Sequence, residues 1–269
     1  MKFGLCAASR EVAVLHTIPC DYLEVNVQRF LVPEQAPDVF ADNWRQARTL
    51  PIPIDAANSL LPPDMVLIET PQRAMDAARL ERYMKTTLER AAQVGIRVIV
   101  FGSGSARACP AGVDHGEAVR HIAEHLATWS GWGHDHGVQI ALEPLRYDET
   151  NTLNTVAEGG ALVQRLVSSG VTLLADLYHM ACNGEPADAL LPWAPLLSHV
   201  HVAEHRDRAA PGRYGDDFRP YFAALHQAGY DRRISIECRW QDLAREAGPA
   251  IATLKEQWSV SPGKSGGGL

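Results

Sequence analysis

Residues 156–176 read VAEGGALVQRLVSSGVTLLAD, and this stretch contains the unit from which the fold is built. Apolar residues at helical spacing through 156–167 predict a helix, Gly170 marks its end, and the apolar run 171–175 predicts a strand. The same order of helix, glycine and strand recurs in QVGIRVIV at 93–100. A repeated unit of this kind is typical of α/β proteins with parallel strands.

Extended outward from that stretch, the pattern predicts eight strands and five clear helices in the 269 residues. The predicted strands are 2–8, 22–25, 52–56, 96–101, 139–142, 171–175, 199–203 and 234–236, and the predicted helices are 76–94, 117–130, 156–167, 220–228 and 243–257. We therefore predict an α/β fold, a single-domain (β/α)8 TIM barrel over residues 1–258, followed by a low-complexity, disordered tail at 259–269. The alternative is an open doubly wound sheet, which usually has fewer strands and a glycine-rich first turn.

Composition argues against several classes of protein. Lys and Arg number 25 against 32 Asp and Glu, a net charge of −7 at pH 7, so a nucleic-acid partner would be repelled. No apolar run approaches the roughly 18 residues that a membrane span requires, so no membrane partner is expected. The five cysteines form no C-x-x-C pair, which favours reduced thiols in a cytoplasmic protein over a disulfide framework or a zinc ribbon.

Polar residues follow four consecutive predicted strands at the point where each apolar run ends. Glu143 follows the fifth strand, Asp176 follows the sixth, His199 and His201 lie in the seventh, and Glu237 follows the eighth. The carboxyl ends of barrel strands converge on one mouth, so these side chains are candidates for a shared site. His201 is nearer the mouth and is the better ligand, whereas His199 is expected in the core or behind the ligands.

A divalent cation would balance three carboxylates and one imidazole that follow buried strands. A mostly oxygen ligand set favours Mn²⁺, with Mg²⁺, Co²⁺ or Zn²⁺ as alternatives. The competing interpretation is that each acid caps the next helix or forms an ion pair. No nucleotide cofactor is expected, because GSGSAR at 102–107 lacks the third glycine of a dinucleotide fingerprint and follows the fourth strand.

Five segments resemble a known family and together span nearly the whole chain apart from the tail. They are VFGSGSAR (100–107), ALEPLRYDETNTLNTVAEG (141–159), LLADLYHM (173–180), HVHVAE (199–204) and GYDRRISIEC (229–238). The chain resembles the xylose isomerase-like TIM barrels of the sugar phosphate isomerase/epimerase group, near the D-tagatose and D-psicose 3-epimerases and the hydroxypyruvate isomerase-like proteins.

The resemblance implies particular site residues. The metal would be held by Glu143, Asp176, His201 and Glu237, and the two glutamates would exchange protons with the substrate. Glu149 and His179 would bind sugar hydroxyls, and so would an arginine in the loop after the seventh strand. Arg208 takes that position when counted back from Pro211-Gly212, whereas Asp207 takes it when counted forward from His201. Family members are often dimers or tetramers, so a homo-oligomer is implied.

The expected activity is that of a sugar isomerase, either a ketose 3-epimerase or an aldose–ketose isomerase, acting through a metal-stabilised enediolate. The alternatives are a metal-dependent lyase or dehydratase on keto-sugars or inositols, and an apurinic endonuclease, which the charge and the missing histidines disfavour. Arg107 would either reach an anionic or hydroxyl-rich end of the substrate or form a surface ion pair. Glu24 ends the second strand and would either join the polar wall or serve the structure.

Overall fold

Eight short strands pair in parallel and in chain order in the computed structural model, which describes residues 1–261. The last strand pairs with the first, through Phe3 opposite Ile234, and closes the sheet into a barrel. The strands are β1 Lys2–Cys6, β2 Tyr22–Asn26, β3 Ile54–Asn58, β4 Val98–Phe101, β5 Gln139–Leu142, β6 Thr172–Asp176, β7 Leu197–Val202 and β8 Arg233–Ile236. The predicted barrel is confirmed, and the open sheet is excluded by the β1–β8 pairing.

Helices connect the strands, and four of them begin at side chains that accept hydrogen bonds from the first turn. Thr155 and Glu158 form a capping box at one such start, and Asp76, Asp114 and Asp242 cap three others. The helices are α1 Val12–Leu15, α2 Pro37–Ala47, α3 Ala77–Val94, α4 Gly104–Arg107, α5 His115–Asp135, α6 Val156–Arg165, α7 Leu177–Asn183, α8 Arg219–Gln227 and α9 Leu243–Val260. A π-helical turn, Val27–Leu31, follows β2.

Several predicted boundaries differ from the structure by a few residues, and those of β3 and α9 are two examples. Strand β3 begins at Ile54 and not at residue 52, because Pro51 and Pro53 have no N–H with which to join a ladder. Helix α9 continues to Val260, two residues beyond the predicted end of the folded domain, and the rest of the predicted tail, 262–269, lies outside the described residues.

The barrel interior is partly apolar and partly polar, because an apolar cluster from β4, β5 and β6 lies inside it together with buried polar side chains of β2, β7 and β8. Val98, Val100, Ala141 and Leu174 form a small buried cluster of their own, separate from the large core between sheet and helices. Alternate residues of a strand face opposite sides, so the interior is lined by every second residue. Among the described residues, no helix combines the length and the apolar character needed to cross a bilayer.

Backbone strain is concentrated at the mouth. All the non-glycine residues with positive φ in the described chain lie in segments that follow the carboxyl end of a strand. They are Val32, Ser59, Ser103, Leu153, Asp207 and Arg208. A left-handed backbone costs on the order of 1 kcal/mol or more for an ordinary residue and persists where the surrounding structure enforces it, commonly at functional sites.

Candidate metal centre

Four side chains from consecutive strands meet inside the mouth of the barrel. Glu143, Asp176, His201 and Glu237 each offer one ligand atom, and these atoms lie within 4.8 Å of one another. Nδ1 of His201 is 3.2 Å from Oε1 of Glu143 and 3.3 Å from Oε2 of Glu237. The structure therefore brings together the four residues that the strand ends indicated.

Asp176 fits both of the interpretations offered for a carboxylate at a strand end. Its Oδ1 accepts a hydrogen bond of 2.8 Å from the backbone N–H of Tyr178 and so caps α7. Its Oδ2 lies 3.1 Å from the guanidinium of Arg208 and 3.4 Å from Nε2 of His179. One oxygen holds the next helix, and the other belongs to the cluster.

Glu143 is accommodated because a glycine faces it. A Cβ built on Gly102 would collide with Oε2 of Glu143, so a larger residue at that position would push this carboxylate out of its place. Burial raises the pKa of Glu143, the charge of Glu237 adds to this effect, and the hydrogen bond with His201 opposes it. Of the two cluster glutamates, Glu143 is the one whose carboxylate form is disfavoured in the metal-free chain.

Glu237 has the opposite electrostatic environment. Burial alone would raise its pKa, but the charges of His201 and Arg208 lower the pKa of Glu237 to about 2. Its Oε1 accepts a hydrogen bond of 2.8 Å from Nδ2 of Asn58, and its Oε2 pairs with Arg208. Asn58, at the end of β3, orients this carboxylate from the other side of the mouth.

His201 has acidic partners on both sides of its ring. Nδ1 faces Glu143 and Glu237, and Nε2 lies 2.9 Å from Oε1 of Glu24. Burial alone would lower the pKa of His201, but the charges of Glu24 and Glu237 raise it well above the usual value. The charged form of the ring is therefore favoured, and each ring nitrogen faces at least one carboxylate that can accept a hydrogen bond from it.

The donor set fits a divalent cation. Three carboxylates and one imidazole nitrogen form a mostly oxygen ligand set, which suits Mn²⁺, Mg²⁺ or Co²⁺ and also accommodates Zn²⁺. Within the protein itself, the charge of these carboxylates is balanced by the Arg208 guanidinium and by His201, whose charged form is favoured. A bound cation would take over that charge balance.

Arg208, and not Asp207, points into the cluster. Its Nε donates to the backbone carbonyl of Glu237 at 3.1 Å, and its guanidinium lies over the ring of Tyr178 with 4.7 Å between Cζ and the ring centroid. Asp207 is exposed and accepts a hydrogen bond from the Tyr214 hydroxyl at 2.9 Å. Counting back from the Pro-Gly pair therefore identified the arginine that faces the site.

His179 and Glu149 occupy different parts of the mouth. His179 is buried beside Asp176, and its Nδ1, which is itself buried, has no hydrogen-bond partner among the described residues. Glu149 lies at the rim, where its Oε1 accepts a hydrogen bond of 2.9 Å from Nε of Arg146. His179 therefore contacts a member of the cluster, whereas Glu149 contacts Arg146 at the rim.

The expectation that Arg107 contacts substrate is corrected by the structure. Its guanidinium is fully buried and donates to the backbone carbonyls of Gly102, Thr152 and Glu143. Burial lowers the pKa of Arg107 to about 10. Because the Arg107 guanidinium donates to these three carbonyls, it links the loop after β4 to the loop after β5. It does not reach the mouth.

A cavity of about 600 Å³ adjoins the cluster on the side of β1, β2 and β3. Asn58 and Cys238 line it next to Glu237, and Arg29 and Asn43 line it further out. Amide, hydroxyl and guanidinium groups on such a wall suit a ligand rich in hydroxyls. Sequence reasoning did not find Asn58, because an amide at a strand end carries no charge that would mark it.

The fold and the cluster define a class of protein, a (β/α)8 barrel with a candidate divalent-metal centre at the carboxyl ends of β5 to β8. Residues 12–257 match the family of xylose isomerase-like TIM barrels, and the chain belongs to that family. The family predicted from the five sequence segments is therefore confirmed.

Two relatives illustrate the likeness. The chain is 30% identical over 163 residues to the L-ribulose 3-epimerase of Methylomonas sp. (strain DH-1), which covers 52% of this chain and 54% of that protein. It is 26% identical over 162 residues to the D-psicose 3-epimerase of Agrobacterium fabrum, which covers 58% and 54%. The chain thus spans about half the length of the curated relatives it matches. These named relatives are sugar epimerases.

Solved structures show the same barrel over almost the whole chain. A D-psicose 3-epimerase crystallised in the presence of D-fructose superposes with a TM-score of 0.81 at 20% identity, covering 96% of this chain and 99% of that one. The IolI protein with a bound zinc atom superposes with a TM-score of 0.72 at 19% identity, covering 96% of each chain. At these identities the likeness establishes the fold.

Proposed function

We propose that this chain is a divalent-metal-dependent sugar isomerase, either a ketose 3-epimerase or an aldose–ketose isomerase. The observation that carries the proposal is the placement of two glutamates, Glu143 and Glu237, on either side of one imidazole nitrogen at 3.2 and 3.3 Å. Two carboxylates around one cation site supply a base to remove a proton and an acid to return it. The names of the relatives support the same class of reaction.

The proposed chemistry is proton exchange at a carbon beside a carbonyl. A bound cation would stabilise the negative charge that develops on the substrate oxygens. Glu143 and Glu237 take up and return the proton. Return to the opposite face of the same carbon gives an epimer, and return to the neighbouring carbon gives the aldose or ketose isomer. We propose Mn²⁺ as the cation, because oxygen ligands predominate.

Other side chains of the mouth would bind the hydroxyls. His179 has an Nδ1 without a partner among the described residues, and Arg208 offers guanidinium N–H groups that donate to oxygens. Glu149 would bind a sugar hydroxyl from the rim, where its carboxylate already accepts a hydrogen bond from Arg146. Tyr178 stacks under Arg208 and holds the guanidinium in place.

We also propose the kind of substrate, the oligomeric state and the cellular location of the enzyme. The substrate is a small sugar, and the partner expected from the resemblance is a second copy of the chain in a homo-oligomer. A cytoplasmic location is supported by the five cysteines, all of which are free thiols in the described structure.

The test is deuterium incorporation from D₂O. Protein stripped of metal by a chelator and reloaded with Mn²⁺ is incubated with a panel of ketoses and 3-keto-sugars, and the exchanged carbon is located by NMR. We expect deuterium at a carbon beside the carbonyl of at least one sugar, only after metal is restored, and no exchange by Glu237→Gln. The surface variant Glu89→Gln on α3 should behave as wild type. Near-native exchange by Glu237→Gln, or by metal-free protein, would reject the proposal.

A further inference from the structure

A buried carboxylate lies on the opposite side of the His201 ring from the candidate metal centre, at the inner wall of the cavity that adjoins the cluster. Glu24, on β2, has no exposed surface and reaches across the barrel interior to His201 on β7. Its Oε1 is 2.9 Å from Nε2 of His201. The ring is thus held between Glu24 on one side and the cluster glutamates on the other, and Nδ1 is the nitrogen that faces the cluster.

The position of Glu24 is itself fixed by a buried network. Its Oε2 lies 2.7 Å from Nε2 of His199 and accepts a hydrogen bond of 2.6 Å from the Ser235 hydroxyl. The Tyr22 hydroxyl lies 2.8 Å from Oγ of Ser235. With both oxygens engaged by groups from β7 and β8, the carboxylate cannot rotate away from His201.

We propose that Glu24 is a positioning residue that holds the proton of His201 on Nε2 and so presents Nδ1 to the cation. This inference rests on the proposed function only in its assumption that the cluster binds a cation. A carboxylate that accepts from the far nitrogen of a ligating histidine fixes the ring orientation and raises the basicity of the ligating nitrogen. Removal of such a partner typically weakens metal affinity about 10–100-fold.

The other side of the ring offers an alternative that the structure disfavours. Cys6, Glu24 and His201 also place one ligand atom each within 4.8 Å of one another. Glu24 is already engaged by His201, His199 and Ser235, and burial raises the pKa of the Cys6 thiol well above its usual value. The only carboxylate of this group is already committed, and the cluster of Glu143, Asp176, His201 and Glu237 offers three, so the geometry favours the cluster as the cation site.

The experiment measures Co²⁺ binding to metal-stripped protein by calorimetry and by the visible absorption of bound Co²⁺. Glu24→Gln keeps the shape of the side chain but leaves one acceptor oxygen for three donors. We expect an affinity about 10–100-fold weaker than wild type, together with an altered absorption spectrum. Tyr22→Phe is the matched control, because it removes a hydroxyl from the same network without touching the contact between Glu24 and His201, and it should bind Co²⁺ as wild type does.

Three results would overturn the inference. They are wild-type Co²⁺ affinity and spectrum in folded Glu24→Gln, an equal loss in Tyr22→Phe, and ligation through Nε2. The last is read from wild-type protein labelled with ¹⁵N-histidine and titrated with Zn²⁺, so it does not depend on a variant folding. We expect the NMR signal of Nδ1 of His201 to shift and Nε2 to keep its proton. Wild-type protein that binds Co²⁺ but exchanges no sugar proton would reject the proposed function and leave this inference standing.

Discussion

His201 links the metal cluster to the buried Glu24. Its Nδ1 faces Glu143 and Glu237, and its Nε2 faces Glu24. Nδ1 lies between Glu143 and Glu237, where a cation would bind, and the raised pKa of His201 favours a proton on that nitrogen when no cation is bound. Because the pKa of His201 is raised in the folded state, the protonated ring stabilises the metal-free fold below the ordinary pKa of about 6.5. That contribution is lost as pH rises through the folded-state pKa.

Metal binding should therefore compete with a proton. We expect Mn²⁺ affinity to rise with pH by about tenfold per pH unit as long as one proton is displaced. Calorimetry at about pH 6 and about pH 8, in buffers of different ionisation enthalpy, measures both the affinity and the released proton. An affinity that does not change with pH, and binding without proton release, would contradict this account of His201.

Arg208 contacts the cluster as a cation and not as a ligand, so its removal should separate substrate binding from metal binding. For Arg208→Ala we expect KM for the sugar to rise about tenfold or more, as expected from the loss of a charged hydrogen bond. Mn²⁺ affinity should not fall, because a competing positive charge has been removed from Asp176 and Glu237. Steady-state kinetics and calorimetry check the two effects.

The control for Arg208 is Arg206→Ala, an exposed arginine of the same loop whose guanidinium lies 4.4 Å from the centroid of the Tyr214 ring. It should leave both quantities unchanged. A loss of metal affinity in Arg208→Ala, with KM unaffected, would show that the assignment of this side chain to substrate is wrong.

At the scale of the element, the loop after β4 makes room for its neighbours. Gly102 leaves space for the carboxylate of Glu143, and a Cβ on Gly104 would come within 2.6 Å of the backbone oxygen of Glu149. The buried Arg107 then ties this loop to the one after β5. The segment GSGSAR, which resembles part of a dinucleotide fingerprint, is explained by close packing beside the candidate site.

Gly102→Ala tests that explanation. The added methyl group should displace Glu143 and weaken both Mn²⁺ binding and sugar proton exchange about tenfold or more, because a small misplacement of a reacting group is costly. Gly131→Ala in α5 is the matched control, since a Cβ at that position would have no atom of the described residues within 4 Å, and it should leave binding unchanged. Wild-type exchange by folded Gly102→Ala would contradict the close-packing explanation.

The agreement between predicted and observed strand boundaries differs from strand to strand. The strand predicted at 139–142 coincides with β5, whereas β3 is shifted by the two prolines that precede it. Helix α2, Pro37–Ala47, was missed although Phe40, Trp44 and Ala47 follow helical spacing after a proline at the start of the helix, so its pattern was present in the sequence.

Some residues of the site could be predicted from the sequence pattern, and others could be identified only from their contacts in the structure. Charged groups at strand ends could be predicted, because an apolar run that ends in a carboxylate is unusual unless that group is paired. Arg107 was placed wrongly because its sequence does not show that three carbonyls surround it. The contact of Glu24 with His201 joins residues 177 positions apart, and no local spacing encodes it.

At the scale of the whole molecule, the two ends of the barrel have opposite electrostatic character. The amino-terminal end carries Asp55 among cations: Arg233 at 3.1 Å, Arg97 at 3.5 Å and Lys2 at 3.8 Å. The carboxyl-terminal end carries the acidic cluster with Arg208. In barrels of this kind the first end serves stability and the second serves function.

Asp55→Asn should therefore destabilise the fold without affecting the metal centre. We expect the free energy of unfolding to fall by about 2 kcal/mol, because the mostly buried Arg233 loses its partner. Mn²⁺ affinity should match that of wild type, and the exposed Asp188→Asn should change neither quantity. Urea denaturation and calorimetry give both values. Loss of Mn²⁺ binding by Asp55→Asn at full stability would refute this separation of the two ends.

The central claim is that the final four strands hold one divalent cation between them. The most direct measurement is the anomalous difference density of a crystal grown with Mn²⁺, collected at the manganese absorption edge. The account predicts a single peak bounded by Glu143, Asp176, Nδ1 of His201 and Glu237. A peak on the side of Glu24 and Cys6, or no peak within reach of these four side chains, would contradict it.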